Sequence, residues 1–220
     1  LSTADAIRAR RSVRGFLPRP VRADTLRAVF ELAQWAPSNC NTQPWQVHVA
    51  SGAVCDTLRE RISRAALDPA QSAPDFPYDG KYAGIYRERQ IDAAVRLYGA
   101  MSIARDDKAG RAASFQRNYV FFDAPHVAFL FLPEPFGLRE AADCGMYAQT
   151  LMLAMSAHGL ASCPQTALSY HAPLVRELLG VPESNKLLFG ISFGYEDPQV
   201  PANECRTERA PLSDSVRFHG

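Results

Sequence analysis

Three arginines and a serine fall within five residues of one another: Arg10, Arg11, Ser12 and Arg14. Guanidinium forks match phosphate oxygens two at a time, and a hydroxyl adds one more donor, so this group reads as an anion site. Taken alone, it reads first as a solvated basic helix end. A second group, Ser38, Asn39, Asn41 and Gln43, gathers hydroxyl and amide groups on one loop beside Pro44 and Trp45. Donors and acceptors set side by side suit the edge of a heteroaromatic ring, although an ordinary helix-to-strand turn has the same composition. Arg206 and Arg209 lie far down the chain in a Pro-rich tail, as two more cations able to close on the same anion. A third pattern misleads. Gly190-Ile191-Ser192-Phe193-Gly194 matches the G-x-S-x-G nucleophile elbow of hydrolases, which must pass from a strand into a helix. Here Asp197-Pro198 and Pro201 follow too soon for a helix, so Ser192 is read as a strand residue between two glycines.

The elements that must hold these groups follow from periodicity. Thr3 to Arg11 reads as a short helix, and Arg22 to Trp35 as a second, with Leu26, Val29, Phe30 and Ala33 on one face and Pro37 after its end. Trp45 to Ala50 alternates as a strand, and a helix runs from about Val54 to Ala65. Residues 67–84 hold Pro69, Pro74 and Pro77 and read as an irregular excursion, followed by helical patterns over about Ile85–Ile103 and Gly110–Asn118. Strands are expected at His126–Leu132, Ala161–Ala167 and Leu187–Tyr195, with a helix at His171–Leu179. Between them, Leu138 to His158 is a helix apolar almost all round, which marks a central element buried in a core or a subunit interface. Strands separated by helices give a mixed α/β or α+β class with a sheet of four or five strands, as one domain over 1–220. The aromatics of the excursion and its helices, Tyr78, Tyr82, Tyr86, Tyr98 and Phe115, fit a planar substrate or, alternatively, a small satellite core.

Composition narrows the function. With 24 Lys+Arg against 23 Asp+Glu, the formal charge of +1 argues against a general grip on nucleic acid or an anionic membrane. Any anion site is therefore local. Five cysteines with no C-x-x-C pair suit reduced thiols rather than disulfides or zinc, and scattered histidines give no metal motif. The uncharged stretch Cys144–Ala157 is too short to span a bilayer. Arg10-Arg11 resembles a twin-arginine export signal, but Pro18-Arg19-Pro20 stands where such a signal needs an apolar run, so the expectation is a cytoplasmic protein. Neither G-x-G-x-x-G nor a P-loop occurs.

The ordered combination of segments resembles the FMN-dependent nitroreductase family. The carrying residues are Arg10–Phe16, Ala36–Trp45, Asp123-Ala124-Pro125, Asp143–Met146, Gly159–Gln165, Gly190–Tyr195 and Arg206–Leu212. The resemblance implies an α+β sandwich, a mainly antiparallel sheet flanked by helices, in an intertwined homodimer with FMN at the subunit interface. By similarity, Arg10, Ser12 and Arg14 hold the flavin phosphate and ribityl chain, with Arg11 beside them and Arg209 and Arg206 arriving from the tail. Pro37, Ser38, Asn39 and Asn41, with Gln43 nearby, cover the flavin of the partner subunit. Pro164, Gln165 and Thr166 line one ring face. No side chain is assigned a catalytic role, because the flavin N5 carries the chemistry. The implied reaction is ping-pong two-electron transfer from NAD(P)H to a nitroaromatic or quinone. Alternatives on the same fold are an FMN enzyme with a dedicated metabolite, acting by dehalogenation or dehydrogenation, and an FMN-binding protein without turnover. Residues 67–118 match no segment of the family and are expected to be a variable, substrate-side excursion.

Overall fold

In the computed structural model, which describes residues 1–77 and 80–220, a single antiparallel sheet lies between two layers of helices. The strands are β1 (Gln46–Ser51), β2 (His126–Pro133), β3 (Ala161–Gln165) and β4 (Asn185–Gly194), in the order β1-β2-β4-β3. The helices are α1 (Thr3–Ala9), α2 (Ala23–Ala33), α3 (Gly52–Ala65), α4 (Gly84–Ala100), α5 (Lys108–Gln116), α6 (Leu138–Ala157) and α7 (Ala172–Leu179). β2 is central and buried on both faces, which is why His126–Leu132 reads as an apolar run instead of an alternation. Val127, Phe129 and Phe131 join Leu58 and Ile62 of α3 and Val175 of α7 in one core. Ala128, Leu130 and Leu132 join Val29 and Ala33 of α2 and Tyr147, Leu151 and Met155 of α6 in the other. Each cluster exists because period-2 strands meet period-3.6 helices on opposite sides of one sheet.

The register of β2 on β4 shifts between Leu130 and Phe131, which pair with Phe189 and Leu187. The extra residue, Leu188, turns the alternation over. Leu187 therefore faces the α3–α7 core, whereas Ile191 and Phe193 face the α2–α6 core. Ser192 ends up fully buried on β4, donating a hydrogen bond to Oε1 of Gln165. Gly190 is required by space, because a Cβ there would sit 2.5 Å from Leu168. The G-x-S-x-G pattern is thus a packed strand, as its sequence context implies.

Several expectations shift. The first helix stops at Ala9 instead of Arg11, so Arg10 and the residues after it are extended. The third strand ends at Gln165 rather than Ala167, because a 3-10 turn takes over from Thr166 to His171. Among the described residues no buried satellite core forms: neither α4 nor α5 buries a residue, and Tyr86 and Phe115 are exposed. Tyr78 lies outside the described residues. α6 buries Asp143, Cys144, Tyr147, Ala148, Leu151, Met152, Ala154 and Met155, yet it is not covered all round. Ala142, Gly145, Met146 and Gln149 form an open stripe along it. Among the described residues, no helix is long and apolar enough to cross a membrane.

Candidate functional site: an arginine-lined cavity and two outlying segments

Past Ala9 the chain becomes a pseudo-strand at the end of the sheet. The Val13 N–H donates to the Ser162 carbonyl at 3.1 Å, and the Leu17 N–H donates to the Tyr195 carbonyl at 2.9 Å. Ser12 bridges Ser162 of β3 in parallel. This pairing turns the basic segment along a cavity of about 670 Å³, walled by Arg8, Arg10, Arg11, Ser12 and Arg14 on one side and by Cys205, Arg206, Thr207 and Arg209 on the other. The fold has brought together residues nearly the whole chain apart. Six arginines line the cavity and, among the described residues, no carboxylate does.

The six are not equivalent. Arg11 forms an ion pair with Glu196, and its Nε is buried with no partner. Its guanidinium is therefore committed to the fold, and its main role at the cavity is as wall. Arg14 donates from Nη1 to the Ser12 carbonyl at 3.3 Å, a bond that shapes the bend. Arg209 donates only to its own neighbours, the Thr207 and Glu208 carbonyls and the Thr207 hydroxyl, at 2.9–3.2 Å. Arg10 is half-buried, and its pKa is held below the ordinary guanidinium value, first by burial and then by the positive charge of Arg209. The two cations thus act on one another across a cavity that no carboxylate lines among the described residues. Beneath them the Cys163 thiol is pushed up to about 11 by burial, an effect that outweighs the opposing pull of Arg14, Ser12 and Arg10. That thiol is inert at neutral pH.

The loop after α2 sits elsewhere. Ser38 accepts from the Gln43 N–H at 3.0 Å, and the Gln43 side-chain amide donates to the Asn41 carbonyl at 3.2 Å. Cys40, Asn41 and Gln43 all have left-handed φ, between 48° and 55°, a conformation that asparagine tolerates better than most residues. Asp143 of α6 pins the loop by accepting the Asn39 N–H at 3.1 Å. Pro37, Asn39, Asn41 and Gln43 are exposed and Ser38 partly so; none of the five lines the arginine cavity.

The third segment is β3 itself. Pro164 and Thr166 are exposed on alternate positions, but the Gln165 side chain is not available to a ligand. Its amide is buried, donates to the Asn118 carbonyl and Oδ1 at 3.0 and 3.2 Å, and accepts from Ser192. Strand alternation turns the Gln165 side chain inward, which leaves its backbone as the part open to a ligand.

Sequence reading overlooked Arg8, Asp143 as an anchor, and Asn203. Arg8 carried a signal, being two residues from Arg10. Asn203 carried none, since one asparagine in a Pro-rich tail has no local pattern.

The fold gathers six arginines around one cavity beside the end of an antiparallel sheet. Residues 7–195 match the Nitroreductase family, and the chain belongs to that family. It is 51% identical over 213 residues to Nitroreductase NfnB of Mycolicibacterium smegmatis, covering 96% of this chain and 90% of the relative. It is 34% identical to a 4-nitrobenzoate reductase of Pseudomonas putida, over 97% of this chain and 94% of the relative. It superposes with a TM-score of 0.94 on the crystal structure of the FMN-dependent nitroreductase NfnB from Mycobacterium smegmatis in complex with NADPH, at 49% identity, covering 99% of this chain and 98% of the other.

Proposed function

We propose that the protein is an FMN-dependent nitroreductase that takes electrons from NAD(P)H and reduces nitroaromatic compounds, with quinones as further acceptors. The observation that carries the reading is the carboxylate-free cavity in which Arg10 and Arg209 repel one another. A phosphate dianion relieves that repulsion and takes hydrogen bonds from several forks at once. The residues fit the phosphate end of FMN: Arg10, Ser12, Arg14 and Arg209 would donate to it, Arg206 and Arg8 would add charge at the rim, and Arg11 would contribute mainly as wall. β3 leads away from this end, with Ser162 beside Ser12 and Pro164 to Thr166 lying about 10 Å further on. That stretch, through its backbone and the Pro164 and Thr166 side chains, is the part of the chain placed to carry the planar ring. When bound, FMN supplies the two-electron redox chemistry, which no side chain provides.

The placement of the loop supports a homodimer. Asp143, which anchors Asn39, and Ser156, which lies beside the basic segment, are thirteen residues apart on α6. At 1.5 Å per residue that is about 20 Å. One chain therefore presents two half-sites at opposite ends of a helix with an open stripe. A two-fold axis through the stripe places two copies of α6 antiparallel, so Pro37, Ser38, Asn39, Asn41 and Gln43 of one subunit approach the arginine cavity of the other.

The test begins with the absorption spectrum of the purified, untagged protein and acid release of its chromophore. About one FMN per chain, followed by NAD(P)H oxidation that accelerates on adding 4-nitrobenzoate, is the expected result. A protein that takes up no FMN refutes the proposal. One that holds FMN without oxidising NAD(P)H is a binding protein instead. A parallel assay with a benzoquinone decides the second acceptor class.

A further inference from the structure

We infer that Asn203 is a positioning residue for the anion cavity: its side chain joins the N-terminal wall to the C-terminal wall and so sets the spacing of the arginines across it. The inference rests on the FMN reading above. Asn203 is buried, and its Oδ1 accepts the Arg14 N–H at 2.6 Å. Both amide hydrogens are used as well, donating to the Gly15 and Asp197 carbonyls at 2.9 Å each. The side chain therefore pairs with the 14–15 backbone much as a neighbouring strand would, beside the one main-chain bond from the Asp197 N–H to the Gly15 carbonyl. On its other side the Asn203 carbonyl accepts from Arg206 Nη1 at 2.6 Å, which fixes the first arginine of the tail. One residue thus touches both walls, Arg14 through its side chain and Arg206 through its backbone.

A second observation supports the junction independently. A Cβ built on Gly15 would lie 2.5 Å from Val200, so the 197–203 turn sits directly on the Gly15 backbone. The Asp197 N–H donates to the Gly15 carbonyl at 3.0 Å, and the Asn203 N–H donates to the Val200 carbonyl at 2.9 Å. A glycine at 15 is what lets the turn come close enough for the amide of Asn203 to reach across. The tail beyond it is exposed from Arg206 to Gly220, so this docking holds the start of the tail at the cavity, while the ion pairs Arg96–Glu208 and Arg89–Asp214 tie the rest to α4.

A residue that spaces phosphate ligands has a consequence that a generally stabilising residue lacks. It changes affinity for the phosphate without changing affinity for the ring. Asn203→Leu is neutral and of similar size, so it adds no charge near the anion. Gly15→Ala breaks the same junction from the other side without touching the amide, which keeps the test independent of the folding of one variant. His126→Gln, buried at the start of β2 and bonded to Val21 and Ser51 rather than to Asn203 or Gly15, serves as a destabilised control. Each full-length protein is titrated with FMN and with riboflavin, which differ only in the phosphate. Losing the equivalent of one charge-assisted hydrogen bond corresponds to about a tenfold or larger loss. The expected result is a fall of about tenfold in the preference for FMN over riboflavin in Asn203→Leu and Gly15→Ala, with riboflavin affinity within about threefold of wild type and the control unchanged. Equal losses for both flavins, or an unaltered preference, overturn the inference. A wild-type chain that binds neither flavin refutes the FMN reading itself, and no variant is needed to see it.

Discussion

Arg209→Ala separates binding from folding, because the structure predicts effects of different size on the two. The Arg209 side chain is exposed, and its hydrogen bonds reach no further than Thr207 and Glu208. Its removal leaves no buried group without a partner, so in the FMN-free chain the change in unfolding free energy should stay within about 0.5 kcal/mol. The sign should lean towards stabilisation, since Arg209 is one of the two causes that hold the Arg10 pKa down. With FMN present the balance reverses. A charge-assisted hydrogen bond to a phosphate contributes about 1.5–3 kcal/mol, which is roughly a ten- to hundredfold rise in Kd when it is lost. The lower part of that range is expected, because an exposed guanidinium is screened by salt. Urea denaturation of the FMN-free protein and fluorescence titration with FMN measure the two quantities on the same preparation. A loss of more than about 1 kcal/mol in the FMN-free chain would make Arg209 a structural residue. A Kd within about threefold of wild type would remove it from the phosphate site.

Other consequences follow from elsewhere in the fold. Asp75 and Arg176 form an almost fully buried ion pair, and Asp75 also accepts the Leu187 N–H at 2.7 Å. Asp75→Ala leaves the guanidinium, among the described residues, with the Asn185 carbonyl at 3.4 Å, and should cost about 3–5 kcal/mol and lower Tm by about 6–20 °C. The double variant Asp75→Ala, Arg176→Met should recover most of that loss, and a double variant no better than the single one contradicts the argument. His126 accepts the Val21 N–H on Nε2 at 2.9 Å, so its Nδ1 hydrogen faces the Ser51 hydroxyl at 2.5 Å. Burial pushes its pKa below the ordinary value of 6.5, and the same cause acts on His48 and His171. The folded state then binds fewer protons than the unfolded chain below about pH 6.5, so stability is complete above that pH and declines as pH falls towards the folded pKa values. Denaturation midpoints that stay flat or rise between pH 7 and 5 are inconsistent with this assignment. Ser192→Ala should keep NAD(P)H oxidation and cost about 1 kcal/mol for the lost bond to Gln165; loss of turnover in a folded variant would reopen a catalytic role.

The local parts of this protein were legible because local physics writes them. The apolar positions Leu26, Val29, Phe30 and Ala33 recur at the helical period, and α2 spans Ala23–Ala33. Asp197-Pro198 after Gly194 was enough to set the nucleophile elbow aside, and Ser192 is buried in a strand. Boundaries were less legible. Arg10 and Arg11 have good helix propensity, yet pairing with Ser162 and Tyr195 pulls the segment out of the helix, because tertiary hydrogen bonds outweigh small intrinsic preferences.

What the sequence by itself determined is the inventory: arginines bunched at one end, amides on one loop, a central helix with apolar residues all round, and the spans of most elements. What only the tertiary structure decided is which of these meet. Arg10 and Arg209 act on one another although they stand near opposite ends of the chain, across a cavity whose two walls meet where a turn docks on Gly15 and Asn203 bonds to Arg14. The Gln165 side chain is spent inside the fold because strand alternation points its amide at Ser192. The loop at Ser38 to Gln43 and the arginine cavity lie at opposite ends of α6, so their meeting requires a second chain. Periodicity and turn chemistry depend on neighbours in the sequence and can be read there. Contacts between segments nearly two hundred residues apart depend on how the layers pack, and no window of sequence contains them.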